Sequence, residues 1–248
     1  MILWRSLDLP RRAMRRLKGD KRDYRHFLFE DLKARLGERR VANVLEIGPM
    51  EADDTKRLLT LVPDRLTLAE MPQWTEHLDK NLAAKGIADQ VEIRVGNVMY
   101  DTMFDDVVPF DLIWCTGVLY HNPEQLRMLA RLYDWLAPDG LLVMETATAR
   151  RGLLRSQNCV EIWHDQPKAA MTRAHLSMNV THVPSRKAVG AWLAMVGFDE
   201  IALSSCHARQ SYSLAQNRVA YIARRAAATE PESYYVHSGR TFPIGRAL

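Results

Sequence analysis

The sequence predicts an α/β fold built on a seven-stranded, mostly parallel sheet with helices on both faces. Short apolar runs alternate with segments of helical periodicity, and this alternation is typical of parallel sheets. The first run ends in an acid and a glycine, Glu46 and Gly48. The second run ends 22 residues after Gly48 at another acid, Glu70. This spacing matches a Rossmann-like strand–turn–helix–strand unit, in which the second acid can bind a ribose diol.

The individual elements follow from the positions of apolar and helix-ending residues. Gly86 is expected to end the third helix, while Ser185 and Gly197 are expected to begin and end the fifth. The last two strands are expected to form an antiparallel pair at one end of the sheet. The predicted helices are 24–36, 53–61, 73–85, 123–136 and 185–196, and the predicted strands are 43–48, 66–70, 91–96, 111–116, 141–147, 199–205 and 218–224.

The charge is concentrated near the N-terminus. The first 40 residues hold 13 Lys/Arg and 6 Asp/Glu, a balance of +7, whereas the whole chain carries +4. A basic arm of this kind suits contact with an anionic membrane surface or a nucleic-acid backbone, or simply packs as a solvated helix. We therefore divide the chain into the arm and first helix at 1–40, a main domain at 41–225 with a polar insert at 149–183, and a tail at 226–248.

The cysteines and the apolar runs indicate the compartment. Cys115, Cys159 and Cys206 are odd in number and too widely spaced for a disulfide framework or a zinc site. The apolar start of the chain is interrupted by charges too early for a signal peptide, and no run approaches the length of a spanning helix. A cytoplasmic location and a site without metal are the expectations.

Several motifs together resemble a known family. They are Leu-Glu-Ile-Gly at 45–48, Gly-Asn at 96–97, Phe-Asp-Leu-Ile at 110–113, Gly-Val-Leu-Tyr-His at 117–121 and Leu-Ala-Pro-Asp-Gly-Leu-Leu-Val at 136–143. Over roughly residues 35–225 the chain resembles class I S-adenosylmethionine-dependent methyltransferases. Within that family, segments 117–121 and 179–185 are similar to the subgroup that includes the tRNA wobble-uridine carboxymethyltransferase.

The resemblance implies S-adenosylmethionine as the cofactor and helix 24–36 as a lid over it. The loop from Glu46 to Ala52 would hold its methionine part, Glu70 its ribose, and Met71 and Asn97 its adenine. In this loop Met50 and Ala52 stand where the family has its second and third glycines, which leaves open a modified cofactor or a non-catalytic binding protein. The full implied set is Glu46, Gly48, Met50, Ala52, Glu70, Met71, Asn97, Val98, Thr116, Gly117 and Tyr120, the last three below the sulfonium.

Methyl transfer from a sulfonium needs the reacting groups to be aligned and, where the acceptor must lose a proton, a base. His121 is the first candidate for taking a proton from an acceptor hydroxyl, followed by His182 and then Glu145. For both histidines the alternative is a structural role. The expected acceptor is an oxygen of a small molecule, a sugar or a secondary metabolite. The alternative acceptor is tRNA, for which the basic arm would contact the phosphates.

Overall fold

The structure is a computed structural model that describes residues 24–99, 103–104, 108–149, 157–162, 182–206 and 218–225. The basic arm, most of the insert and the tail lie outside the described residues, and the expectations for them stay predictions. Within the described ranges, no helix combines the length and the apolar composition that crossing a bilayer requires.

All strands of the described residues belong to one large sheet or to one small one. They are β1 (Asn43–Ile47), β2 (Arg65–Glu70), β3 (Glu92–Val95), β4 (Phe110–Thr116), β5 (Leu136–Ala147), β6 (Val160–Ile162), β7 (His182–Pro184), β8 (Phe198–Leu203) and β9 (Arg218–Arg225). The large sheet has the order β3-β2-β1-β4-β5-β9-β8, and β6 pairs with β7 separately. The first five strands are parallel, whereas β9 is antiparallel to both of its neighbours. The predicted fold class is confirmed, and so is the antiparallel pair.

The described residues contain five α-helices, of which α1 precedes β1: α1 (Tyr24–Leu36), α2 (Asp53–Leu59), α3 (Thr75–Lys85), α4 (Gln125–Trp135) and α5 (Arg186–Val196). The predicted end signals operate as expected. Gly86 follows α3 in the left-handed conformation, with φ of 65°. The Ser185 hydroxyl accepts the amide N–H of Ala188 at 3.0 Å at the start of α5. Short 3₁₀ turns lie at Pro72–Trp74, Ala88–Gln90 and Leu119–His121.

One strand, β5, begins five residues earlier than predicted. β5 starts at Leu136 rather than at 141, because Leu136 pairs with Phe110 before the Pro-Asp-Gly segment and the register shifts there. The segment itself is tightly packed: a Cβ on Gly140 would lie 2.8 Å from the carbonyl oxygen of Ala137. A turn signal in the sequence thus lies inside an irregular strand, since the pairing partner is distant in the chain.

The sheet has a hydrophobic core on each face, because alternate residues of a strand point to opposite sides. On β4, Leu112 and Trp114 belong to the core that includes α1, α2 and α3. Ile113 and Cys115 of the same strand belong to the core that includes α4 and α5. The helix predicted as a lid, α1, is thereby packed along the sheet through a buried face that includes Leu28. The parallel arrangement brings the carboxyl ends of β1, β2, β3 and β4 to one edge.

Candidate cofactor-binding site

An open cleft lies at the carboxyl ends of the first four strands, with about 800 Å³ of empty space that includes the part open to solvent. This is the edge where open α/β sheets bind their ligands. The lining comes from the residues that follow β1, β2, β3 and β4 and from the start of α4. Its members are Ile47, Gly48, Ala69, Glu70, Met71, Gly96, Asn97, Val98, Met99, Val118, His121, Asn122, Pro123 and Met128.

Gly48 is required at its position for two reasons. Its φ of +68° is in the region that favours glycine. A Cβ there would lie 2.8 Å from Cγ2 of Val118, which also lines the cleft. The amide of Gly48 donates to the carbonyl oxygen of Ala69 at 3.0 Å and so fixes the turn against β2. The chain can therefore approach a ligand closely at this point.

The two predicted departures from the glycine pattern keep the backbone that glycine would adopt. Met50 has φ of 32° and Ala52 has φ of 53°. Residues 48, 50 and 52 thus all have positive φ, although only the first is glycine. Neither Met50 nor Ala52 is among the cleft-lining residues in the described part of the chain. The loop therefore has the positive φ of a glycine-rich loop at these positions, while the side chains of residues 50 and 52 stay outside the cleft lining.

Glu70 is held as a ribose ligand would need to be. It is 4% exposed, and burial raises the pKa of its carboxyl group. One oxygen accepts the amide N–H of Met50 at 3.0 Å, and the other accepts the amide N–H of Met71 at 2.8 Å. Because each carboxylate oxygen has two lone pairs, each can still accept a ribose hydroxyl.

The end of the cleft that is predicted to hold the adenine is formed by the residues that follow β2 and β3. Met71 and Val98 supply apolar surface there, and Asn97 lies beside Val98. The side-chain oxygen of Asn97 accepts the amide N–H of Met99 at 2.9 Å, so this side chain is fixed by its own turn. These three predicted residues are therefore together in the cleft with Gly48 and Glu70.

Glu46 is placed behind the loop rather than in the cleft. Its carboxyl accepts the Thr55 hydroxyl at 2.6 Å, and it is 2% exposed. Burial, and then the neighbouring charge of Asp54, raise the pKa of Glu46 to about 8. Its predicted contact with the cofactor stays a prediction, whereas its contact with α2 is direct.

Asp54 is a residue that the sequence reasoning missed. It accepts hydrogen bonds from Trp114 Nε1 at 3.0 Å and from the Thr116 hydroxyl at 3.1 Å. It also pairs with Arg25 of α1 at 3.1 Å and with Arg57. Thr116, a predicted site residue, thus donates its hydroxyl to Asp54, and it is not among the residues that line the cleft. In the sequence, Asp54 looked like an ordinary acid in the first turn of a helix.

A second buried ion pair lies beyond the end of β4. Glu145 is fully buried, and both of its oxygens contact Nη1 of Arg218, at 2.7 and 2.9 Å. Nη2 of Arg218 lies 3.5 Å from the Tyr120 hydroxyl, and the guanidinium is 5.3 Å from the centroid of that ring. Gly117 donates its amide N–H to the Glu145 carbonyl oxygen at 3.0 Å. We call Tyr120, Glu145 and Arg218 the polar cluster.

Tyr24 of α1 is electrostatically coupled to the polar cluster. Burial, and then the charge of Glu145, raise the pKa of the Tyr24 hydroxyl. Neither Tyr24 nor Arg218 was a predicted site residue. Glu145, on the neighbouring strand β5, is more than seventy positions before Arg218, so their pairing left no local signal in the sequence.

The two histidines among the three candidate bases are in different places, and the third candidate, Glu145, is the buried partner of Arg218. His121 lines the cleft, and its ring lies 4.1 Å from the ring of Tyr120, which does not itself line the cleft. His182 is in β7, where its carbonyl oxygen accepts the side-chain amide of Gln125 at 2.7 Å, and it is not part of the cleft lining. The catalytic roles of both stay predictions.

A comparison with known protein families identifies the family of this chain. A profile described as "Methyltransferase domain" matches residues 18–203, about three quarters of the chain. The chain belongs to this methyltransferase family. The chain is thus an S-adenosylmethionine-dependent methyltransferase, and S-adenosylmethionine is its cofactor. The cleft fits that cofactor, because Gly48 leaves room beside Val118 and the buried Glu70 keeps acceptor capacity for the ribose.

Two of the relatives that the chain resembles in sequence carry the same name as each other. The chain is 30% identical over 159 residues to the tRNA U34 carboxymethyltransferase of Desulforapulum autotrophicum, which covers 64% of this chain and 45% of that protein. It is 26% identical over 160 residues to the tRNA U34 carboxymethyltransferase of Nautilia profundicola, with 64% and 48% covered. The chain therefore spans about half the length of these relatives.

Solved methyltransferases share the fold at low identity. The N-terminal domain of EvdMO1, crystallised in the presence of S-adenosyl-homocysteine (SAH) and D-fucose, superposes with a TM-score of 0.60 at 21% identity, covering 84% of each chain. The N-methyltransferase NodS from Bradyrhizobium japonicum WM9, in complex with SAH, superposes with a TM-score of 0.54 at 20% identity, covering 83% of this chain and 89% of NodS. Both likenesses concern the architecture alone.

Proposed function

We propose that the S-adenosylmethionine site of this methyltransferase also takes a derivative of S-adenosylmethionine with a carboxylate on its transferable carbon, and that the enzyme transfers the resulting carboxymethyl group to a uridine of tRNA. The observation that carries the proposal is Arg218. A carboxylated sulfonium donor has one more negative charge than S-adenosylmethionine, and this charge needs a cation nearby. Arg218 is a cation with 21% of its side chain exposed, and it is fixed by Glu145 from behind.

The position of Tyr120 supports this reading. Tyr120 lies in the turn Leu119–His121, between two residues that line the cleft, Val118 and His121. Its hydroxyl is next to Nη2 of Arg218, whereas Glu145 occupies Nη1. Arg218 and Tyr120 lie behind the cleft lining, so an anionic group that extended past Val118 and His121 to Nη2 of Arg218 would gain charge-assisted hydrogen bonds, which are about twice as strong as neutral ones.

His121 is our choice for the base. When bound, the cofactor supplies a sulfonium-activated carbon and leaves as S-adenosylhomocysteine. His121 takes the proton that the acceptor oxygen loses, since it is the candidate base that lines the cleft. His121→Asn should lower kcat by roughly 10²–10⁴-fold while the Kd for S-adenosylhomocysteine changes little. An unchanged kcat would exclude His121 as the base.

Calorimetric competition between the two donors tests the proposal. We expect the wild-type chain to bind the carboxylated donor more tightly than S-adenosylmethionine, and Arg218→Met to abolish that preference. Arg224→Met is the matched control, because Arg224 lies on the same strand but pairs with Asp139 and Asp199 instead. Equal affinity of the wild-type chain for both donors would contradict the proposal.

The acceptor is tested separately with tRNA. The +7 balance of the first 40 residues supports phosphate contacts, and binding through them weakens steeply with salt. We expect unfractionated tRNA to bind and to lose affinity by at least tenfold between about 50 and 200 mM salt. Salt-independent or absent binding would argue against a tRNA acceptor, and it would argue equally against a cytoplasmic tRNA-modifying role.

A second candidate is plain methylation of an oxygen on a small molecule or sugar. One specific observation favours it: Glu145 already neutralises Arg218, so an uncharged methyl donor would meet a neutral pair. The same calorimetric competition separates the two functions. Preference for S-adenosylmethionine, unaffected by Arg218→Met, would support this candidate over carboxymethyl transfer.

A further inference from the structure

The loop after β1 has a backbone that its own residues disfavour. Met50 and Ala52 both have positive φ, at 32° and 53°, where side chains clash with the neighbouring peptide. Such conformations persist only when the surrounding structure holds them. The loop lies directly between Gly48, which lines the cleft, and α2. What holds this loop therefore determines the shape of the cofactor site.

One face of α3 contacts the loop. His77, Asn81 and Lys85 are spaced by four residues, so they lie on the same side of the helix. The side-chain amide of Asn81 donates to the Met50 carbonyl oxygen at 2.9 Å. The Lys85 ammonium donates to the Glu51 carbonyl oxygen at 2.7 Å.

Two side-chain contacts complete this attachment. His77 Nε2 lies 3.3 Å from Oε1 of Glu51, and the Asn81 amide lies 3.4 Å from Oε2 of the same carboxylate. Lys85 also pairs with Asp53 at 3.2 Å, at the start of α2. The carbonyl groups of Met50 and Glu51 thus each have a donor on α3.

Met50 is held from the cleft side as well. Its amide N–H donates to Glu70, the residue that is fitted to the ribose, at 3.0 Å. The N–H of Met50 is therefore bound by a cofactor ligand and its carbonyl group by Asn81. If Met50 relaxed to negative φ, this peptide would rotate and one of the two carboxylate oxygens of Glu70 would lose its fixed donor. The conformation of Met50 and the orientation of Glu70 are coupled.

We propose that His77, Asn81 and Lys85 are positioning residues for the cofactor, which replace the missing second and third glycines by holding the loop from outside. A glycine loop adopts positive φ without help, whereas this loop needs the face of α3 to do so. Asn81 is the central member, because it binds the residue that also contacts Glu70. The inference does not depend on the group transferred, since S-adenosylhomocysteine is the product of either donor.

Titration of the full chain with S-adenosylhomocysteine tests this inference. Asn81→Ala should raise the Kd about tenfold, which corresponds to about 1.4 kcal/mol. In the double variant Met50→Gly with Asn81→Ala, the Kd should return to within about threefold of the wild-type value, because glycine adopts positive φ without strain. Lys80→Ala is the matched control: it lies on the same helix, pairs with Glu76 and should leave the Kd unchanged.

The rescue separates positioning from a general loss of structure. If Asn81→Ala left the Kd unchanged, or if Met50→Gly failed to restore it, the inference would be overturned. Asn81→Asp is the second variant, for use should Asn81→Ala not fold. It keeps the volume but has no N–H to donate, and it should weaken binding at least as much. Tight binding by Asn81→Asp would equally overturn the role of the hydrogen bond.

Discussion

Glu46→Gln tests whether the buried acid of β1 is protonated in the folded chain. Glu46 is 2% exposed, accepts the Thr55 hydroxyl and lies near the negative charge of Asp54. Its pKa is raised to about 8, from 4.5 in an exposed carboxyl group. Glutamine has nearly the same shape but no charge at any pH, so the substitution removes the titration and little else.

The sign of the effect follows from proton linkage. Below pH 4.5 the carboxyl group is protonated in both states, and its full contribution to stability is present. As the pH rises towards 8 the unfolded chain ionises while the folded chain keeps its proton, so the free energy of unfolding falls. Each pH unit of this interval is worth about 1.4 kcal/mol, which gives a total loss on the order of 4–5 kcal/mol.

Thermal unfolding from pH 5 to pH 9 measures this loss. At about 2–4 °C per kcal/mol for a chain of this size, the Tm of Glu46→Gln relative to wild type should rise by roughly 10 °C or more across the range. Glu38→Gln removes an exposed carboxylate and serves as the control. Parallel Tm profiles for wild type and Glu46→Gln would refute the reasoning, because they would mean that Glu46 titrates alike in both states.

Three other substitutions have defined outcomes. Gly48→Ala should weaken S-adenosylhomocysteine binding in calorimetry, because the added Cβ would lie 2.8 Å from Val118. Gly37 has a similar φ but open space around it, so Gly37→Ala should only lower the free energy of unfolding in urea, by about 1–2 kcal/mol of backbone strain. Ser185→Ala should lower the free energy of unfolding by about 1–2 kcal/mol through loss of the cap of α5, and an unchanged urea midpoint would exclude that role. Glu145→Gln should lower the free energy of unfolding by about 3 kcal/mol, the lower end of the range for breaking a buried pair, because Arg218 is partly exposed. No loss in urea unfolding would show that the pair is not stabilising.

The fold could be predicted because its signals are local. The alternation of apolar runs, the glycine after α3 and the cap of α5 each act within a few residues, and all three correspond to the observed elements. The early start of β5 could not be predicted in this way. It depends on a partner strand twenty-six positions away, at Phe110, and a Pro-Asp-Gly segment normally indicates a turn.

A site residue could be predicted where its own type and spacing gave the signal, and not where its role depends on a partner distant in the chain. Gly48 and Glu70 were found from their types and spacing, and both line the cleft. Arg218 was missed because its meaning arises from Glu145, on another strand. The missing glycines around Met50 left open a modified cofactor or a non-catalytic binding protein. The hydrogen bond from Asn81 to the Met50 carbonyl oxygen could not be read from the loop, because Asn81 lies about thirty positions later on a helix.

The antiparallel position of β9 has a consequence for how the chain folds as it is made. β9 is the last strand of the sheet to be synthesised, yet it lies between β5 and β8. Until its eight residues leave the ribosome, β5 has an unpaired edge and β8 has no partner in the large sheet. Open strand edges recruit strands from other molecules. A chain whose translation stalls before residue 218 therefore keeps unpaired strand edges on β5 and β8, which can pair with other molecules. In the complete chain, β9 fills the position between these two strands and so finishes the sheet.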